Sequence, residues 1–352
     1  GSVTNAAGTV VPGNFAFTAP GTNPNAGTAP QSVTFTPADT TNYNTVAATV
    51  NVTVNPATPL LAAKPNVTTI TYGQALSAAV LSGGSATNAA GSVVAGAFAF
   101  TAPDILPTTG STIQSLTFTP TDTTNYLHFT NSVSVTIAPA ALTITAHNAN
   151  KVYDGLPYSG GNGVTYSGFT NGETEAVLAG NLTYSGSAQG AIQAGSYSIV
   201  PAGLTATNYA LIYANGTMTI QPLALTVTAE AQSKVYGSAD PELSYQVAPP
   251  LIGGDSFSGA LTRVPGESVG DYAIALGSLQ LGANYSLNFV GANLTITPAA
   301  LTITVNDTNK IYGQTVGFTG TEFAISDLFG GDSVSSVSLS SDGMPGAAVP
   351  GV

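Results

Sequence analysis

Along most of the chain, apolar residues alternate with threonine, serine and asparagine. The runs "LTITA" from Leu142, "LTVTA" from Leu225 and "LTITV" from Leu301 show it most clearly. A period of two puts apolar side chains on one face and hydroxyls on the other, the pattern of a half-buried strand. "FAF", "LTFTP" and "YSI" add further strands, separated by Gly, Pro, Asn and Asp turns. Beta-branched Thr and Val suit the pleated backbone. No segment of any length places apolar residues at the 3.6 spacing of a helix. About seven short strands in roughly 80 residues is the arithmetic of an immunoglobulin-like sandwich. The pattern therefore predicts an all-β chain of tandem immunoglobulin-like β-sandwich domains in a linear rod.

The chain also repeats itself. An Asn-Tyr pair ends at Tyr43, Tyr126, Tyr209 and Tyr285, with spacings of 83, 83 and 76. An alternating strand closing in proline follows each, at Pro56, Pro139, Pro222 and Pro298. A tyrosine followed by Gly or Asp stands at Tyr72, Tyr153, Tyr236 and Tyr312. "GSVTNAAGTVVPGNFAFTAP" from Gly1 aligns without a gap on "GSATNAAGSVVAGAFAFTAP" from Gly84. These landmarks divide the chain into a partial repeat at 1–56 without its opening strands, repeats at 57–139, 140–222 and 223–298, and a partial repeat at 299–352. In the last, "AGSYSI" and "VGDYAI" of the preceding repeats place a Tyr-x-Ile strand beyond Val352. Both ends fall inside a repeat, as in a window cut from a longer chain.

The phrase "ADTTNY" at Ala38, repeated as "TDTTNY" at Thr121, sits between the last two strands. Asp39 or Asp122 can accept backbone N–H bonds and shape the turn. Tyr43 or Tyr126 would insert its ring between the sheets and tie its hydroxyl to nearby backbone, the logic of a tyrosine corner.

Composition narrows the partners. Hydrophobic residues make up 43% of the 352 and charged ones 6%, so the chain can bury cores and must be solvated by Thr, Ser, Asn and Gly. Five basic against 17 acidic residues give a net charge of −12. That balance argues against nucleic acid and anionic membrane surfaces. No run of 18 apolar residues exists to insert in a membrane, and the start lacks a signal peptide. With no cysteine, disulfides and thiolate chemistry are excluded.

The repeats resemble known bacterial modules. "NKVYDGLPYSG" (Asn150–Gly160) and "SKVYGSADPELSYQV" (Ser233–Val247) are similar to the YDG and MBG families. "GGDSFSGAL", "VGDYAI" and "NYSLNFVGANLTI" extend the likeness across 223–298. "VTFTPADTTNYNTVAATVNVTV" (Val33–Val54) resembles the bacterial Ig-like repeats found alongside them, and the first two repeats lack the Lys-x-Tyr form, "TTITYG" (Thr68–Gly73) replacing it. The resemblance implies a giant secreted or surface-anchored adhesin-like protein, extracellular in location.

Candidate chemistry is sparse. Lys151, Lys234 and Lys310 each lie two residues before a landmark Tyr, and Lys64 occupies a similar place; Arg263 alone falls outside the pattern. Two readings stand: an edge-strand lysine that discourages sheet-to-sheet pairing, or the amine of an intramolecular isopeptide bond, which needs a neutral lysine and a nearby acid. Asp154, Glu173 and Glu175, and Asp240, Glu242 and Asp255, are candidates for calcium, although no DxDxDG loop is present. The recurring "NGE", "GGD" and "GGD" read as turns carrying one solvated acid. His128 and His147 form no metal or triad motif, and sequons such as those at Asn181 and Asn293 are expected in a chain this rich in Asn and Thr. "YSGGNGVTYSGF" (Tyr158–Phe169) offers Tyr158, Tyr166 and Phe169 as a loop for a glycan or protein.

The expected function is mechanical: a stiff, non-enzymatic spacer in a stalk or filament, with no cofactor. Its partners are neighbouring repeats of one long chain. An adhesive glycan- or protein-binding module, or a subunit of a laterally assembled fibre, is the alternative.

Overall fold

A computed structural model describes residues 1–342. Two compact units divide the chain. One contains residues 1–146, 164–183 and 201–214; the other contains 147–163, 184–200 and 215 onward. Strands dominate both, and among the described residues the only helical turns are the short 3-10 segments Leu76–Ala78 and Glu175–Val177. The fold class is all-β, built as tandem immunoglobulin-like repeats.

In the first unit, Gly96–Phe100, Gly110–Pro120 and Phe129–Ala138 form an antiparallel sheet, and Ile70–Thr71 adds a parallel strand at Ile137. Phe98, Phe118 and Phe129 face one another across its strands, with centroids 4.9 Å (Phe98–Phe118) and 5.3 Å (Phe118–Phe129) apart. A second sheet runs Val93–Val94, Ser85–Thr87, Leu60–Ala63. Ile70, Leu76, Leu116, Val135 and Ile137 fill the core. Each such side chain contributes about 1.5–3 kcal/mol when fully buried.

Residues 1–56 repeat the antiparallel sheet as Gly13–Phe17, Gly27–Pro37 and Val46–Val54. Its apolar face is less covered: Phe17 is 47% and Val50 43% exposed, whereas their counterparts Phe100 and Val133 are 8% and 7% exposed. In 57–139 the segment around Ile70–Leu76 packs on that core. Tyr43 is exposed, and among the described residues no hydrogen bond ties its hydroxyl to backbone as the expected corner would.

The first unit also holds the sheet made by Val164–Ser167, Ala140–Ala146 and Tyr209–Ala214. Its central strand obeys the period of two: Ala140, Leu142, Ile144 and Ala146 are buried, while the intervening residues are not.

In the second unit, repeat 223–298 has two sheets. One places Leu223–Ala229 between Tyr245–Ala248 and Tyr285–Val290; the other runs Gln232–Val235, Ala292–Thr297, Gly270–Ala275, Thr262–Arg263. Leu225, Val227, Ile274, Leu294 and Ile296 are buried. The first strand is parallel to the next-to-last (Leu225 with Leu287), and the second is parallel to the last (Lys234 with Ile296). Ala149–Val152 likewise pairs in parallel with Gly216–Gln221. Among the described residues the final repeat forms only the pair Thr302–Val305 and Phe323–Ser326; residues 343–352 of the expected 299–352 repeat lie outside them.

Candidate functional site: a recurring joint between repeats

The landmark tyrosines and the "NGE/GGD" turns are one device. Asn171 and Gly172, Gly253 and Gly254, and Gly330 and Gly331 all have φ between 53° and 94°. Two successive positive φ values make a tight reversal that favours Asn and Gly. Each turn is closed by the acid's own N–H: Glu173 to Thr170 O, Asp255 to Ile252 O and Asp332 to Phe329 O, all 3.0 Å. The turn fixes where the carboxylate points.

That carboxylate is engaged by tyrosine, which the sequence reading did not expect; Glu173 and Asp255 are half-buried, while Asp332 is exposed. Glu173 accepts a hydrogen bond from the Tyr72 hydroxyl at 2.7 Å on Oε1 and another from Tyr209 on Oε2. Asp255 Oδ2 accepts from Tyr153 at 2.9 Å and Tyr285 at 2.7 Å. Asp332 Oδ2 accepts from Tyr236 at 2.9 Å. In each case the first tyrosine belongs to the preceding repeat and the acid to the following one. The rings meet edge to face, 5.5 Å apart at 82° for Tyr72–Tyr209 and 5.5 Å at 77° for Tyr153–Tyr285. Hydrogen bonds to a carboxylate are stronger than neutral ones. The Glu173 bond, then burial, holds the Tyr72 phenol above its usual range. Asp255 does the same for Tyr153, and Asp332 for Tyr236. For Tyr285 burial is the main cause.

The glycine after the landmark tyrosine completes the fit. Gly155 has φ +73°, and a Cβ there would lie 2.6 Å from Ile252 Cγ2, three residues before the acid of the next turn. Gly73 meets Thr170, and Gly237 meets the Phe329 ring, in the same relation. The Tyr209 and Tyr285 hydroxyls also accept backbone N–H bonds, from Thr170 at 3.1 Å and Ile252 at 2.9 Å. In these two repeats the hydroxyl is tied to backbone as a tyrosine corner requires, and it serves the joint as well.

Asn of the Asn-Tyr pair reaches back to the repeat before. Asn125 Oδ1 accepts from Ala26 N at 2.7 Å, and Asn284 Oδ1 from Ala194 N at 2.8 Å. Asn208 Oδ1 accepts from Thr109 Oγ1 at 3.0 Å. Its backbone carbonyl receives Ala140 N, and that of Asn284 receives Leu223 N. Asp39 and Asp122 shape the turn as expected, each accepting two backbone N–H bonds. At the junction of 57–139 with 140–222 the core is continuous: Ile137, Ala140, Leu142, Tyr72 and Tyr209 lie in one cluster.

Lys151 and Lys234 do stand on edge strands. Their ammonium groups are engaged rather than solvated. Lys151 Nζ lies 2.7 Å from Asp154 Oδ1 and donates to Leu156 O. Lys234, with a side chain only 4% exposed, lies 2.7 Å from Asp240 and 2.5 Å from Glu267. Arg263 binds the same two acids, and its planar fork faces both Asp240 oxygens. Arg263, then Lys234, pulls Asp240 down to about 2, and Asp240 raises Lys234. This environment keeps the amine charged, the opposite of what amide formation needs. Lys310 is half-buried, on the stretch of chain that joins Thr302–Val305 to Phe323–Ser326.

Of the calcium candidates, Asp154, Glu173, Asp240 and Asp255 are held in these pairs, Glu175 and Glu242 are not, and no group of three metal-ligating side chains occurs among the described residues. His147 Nδ1 lies 3.0 Å from Asn162 O. Of the loop candidates, Tyr166 and Phe169 pack on the core cluster with centroids 5.7 Å apart, and Phe169 also meets Tyr209. Tyr158 lines an open cleft.

The sequence reading missed the joint's acids and asparagines, since each binds across a repeat boundary. One signal was available: a Tyr-Gly or Tyr-Asp-Gly in one repeat is followed by an acid-bearing turn in the next.

Fold and joint together define a tandem all-β repeat protein whose repeats are locked to their neighbours. Residues 142–219 and 225–295 each match the family described as MBG domain (YGX type). No curated protein matches the chain. Similar solved structures include PcdhgB3 EC1-4, at 9% identity over 78% of this chain and 84% of that one, with a TM-score of 0.22. Drosophila N-cadherin EC1-4 is also 9% identical, over 77% and 83%, with a TM-score of 0.21. No helix among the described residues is long and apolar enough to cross a membrane.

Proposed function

We propose that the chain is a stiff spacer segment of a large bacterial cell-surface or secreted adhesin-like protein. One observation carries the reading: the same tyrosine–carboxylate joint recurs at successive repeat boundaries. A flexible string of domains would have no use for a geometrically specific clasp repeated at three successive boundaries. The linkers have almost no length, and proline restricts the backbone around Pro139 and Pro222. Parallel pairing of the opening strands with the closing ones suits load-bearing. Pulling the two ends apart then shears a ladder of hydrogen bonds together instead of unzipping it. Catalysis has no part in this role, and the extracellular setting follows from the spacer reading.

Small-angle scattering of the full chain tests it. The expected particle is a rod above ~120 Å long, each sandwich spanning on the order of 35–40 Å. Glu173→Ala and Asp255→Ala together should broaden the distribution of end-to-end distances. A compact particle, or an unaltered distribution in the double variant, overturns the proposal. Electron microscopy addresses the fibre alternative, since bundles in place of isolated rods would favour lateral assembly.

A further inference from the structure

We infer that repeat 140–222 carries a binding groove for an uncharged oligosaccharide, centred on Asn150, Thr219 and Tyr158. The inference is independent of the spacer reading.

The groove is a cleft of about 850 Å³. Its floor is the outward face of two parallel strands, Ala149–Val152 and Gly216–Gln221, where Asn150 stands opposite Thr219. The alternation that buries Met218 and Ile220 on the other face turns Thr217, Thr219 and Gln221 outward. Its wall is the loop between Tyr153 and Val164, with Tyr158 and Asn162 on the lining.

The wall is built in advance. Tyr158 N donates to Ala191 O at 2.9 Å, and Gly190 N donates to Tyr158 O at 2.8 Å. The Gln189 amide clamps Gly160 from both sides, accepting from its N–H and donating to its carbonyl at 2.8 Å each. Gly161 packs so closely on the Tyr184 ring that no Cβ fits. A loop fixed before binding loses little conformational freedom on binding.

The lining selects the ligand class. It holds no charged side chain. The nearby Lys151 and Asp154 neutralise each other. Asn150, Thr219 and Gln221 make no side-chain hydrogen bond to protein among the described residues, so each offers free donor and acceptor capacity. A sugar hydroxyl both donates and accepts, and one face of a pyranose is apolar enough to lie on the half-buried Tyr158 ring. An anionic ligand would find no cation here. A peptide would need apolar side-chain pockets, and the lining supplies only Ala149 and the tyrosine.

Repeat 223–298 is an internal contrast. Its strands Gln232–Val235 and Ala292–Thr297 have the same register, but Thr295, the counterpart of Thr219, already donates to Asp271 at 2.6 Å. Its loop is tied into the Lys234–Asp240–Arg263–Glu267 cluster.

The full chain should be applied to an array printed with uncharged, sialylated and sulfated oligosaccharides. Binding should fall on uncharged glycans, and Asn150→Ala or Tyr158→Ala should weaken it about tenfold each, as loss of a principal contact does. Thr295→Ala should leave it unchanged. Asn150 and Thr219 are exposed strand positions, so Thr219→Ala keeps the inference testable should Tyr158→Ala unfold. A blank array, binding confined to anionic glycans, binding indifferent to these substitutions, or selection of extended peptides from a displayed library would each overturn it.

Discussion

Tyr72→Phe removes one hydroxyl and leaves the ring where it is, against Tyr209 at 5.5 Å. The lost bond is 2.7 Å long, ends on a carboxylate and is made by a tyrosine that is 8% exposed. Hydrogen bonds to charged groups contribute about 1.5–3 kcal/mol net. Glu173 is half-buried, so the lower end, about 1.5 kcal/mol, applies. In a chain of repeats that stability is local, shared between neighbours rather than spread evenly. Native-state hydrogen exchange on the full chain reads it amide by amide. Thr170 N–H, bonded to the Tyr209 hydroxyl, and Ala140 N–H, bonded to Asn208 O, report the joint. About 1.4 kcal/mol is a factor of ten, so both should exchange about tenfold faster. Amides of Val46–Val54 should not respond. Glu173→Gln should accelerate the same amides, and the double variant should cost less than the sum, because the substitutions remove one shared interaction. Joint amides that change by less than twofold in both single variants would refute the clasp as an energetic element. Acceleration spread equally to Val46–Val54 would do so too.

Gly155→Ala should destabilise the junction of 140–222 with 223–298 by about 1–3 kcal/mol, from positive φ and the encounter with Ile252, read as a lowered unfolding midpoint. Asp240 has a folded-state value of about 2 against an ordinary 3.8. Its stabilisation is therefore present above pH ~4 and lost as pH falls toward 2. Acid unfolding of the full chain should show this, and Asp240→Asn should blunt the acid limb. The raised phenols of Tyr72 and Tyr153 work in the other direction. Their clasps persist through pH 10 and open only as pH climbs past their folded values, which ultraviolet titration of phenolate should show as a late-titrating class. The intact mass should equal that of the unmodified sequence, because Lys234 is held charged by two carboxylates; a mass short by one water or ammonia would contradict that.

The strands were legible because alternation is local. "AALTITA" announces its buried Leu142 and Ile144 within seven residues. The turns at Asn171-Gly172 and Gly253-Gly254 were legible for the same reason. What each turn carries was not. Glu173 finds Tyr72 from 101 residues away, and Asp255 finds Tyr153 from 102, through a junction that periodicity does not describe. A lone acid after two turn residues looks solvated until its neighbour repeat is in place. Likewise Lys234 follows the edge-strand rule in position, yet its charge is absorbed by Arg263's partners, which arrive from elsewhere in the same repeat.

The joint has a direction. A repeat presents tyrosine and glycine at one end and receives them with an acid-bearing turn at the other, so identical copies always fit head to tail. Duplicating one such repeat in register lengthens the array without any new interface having to evolve. A lineage can thus adjust how far its protein reaches by copy number alone.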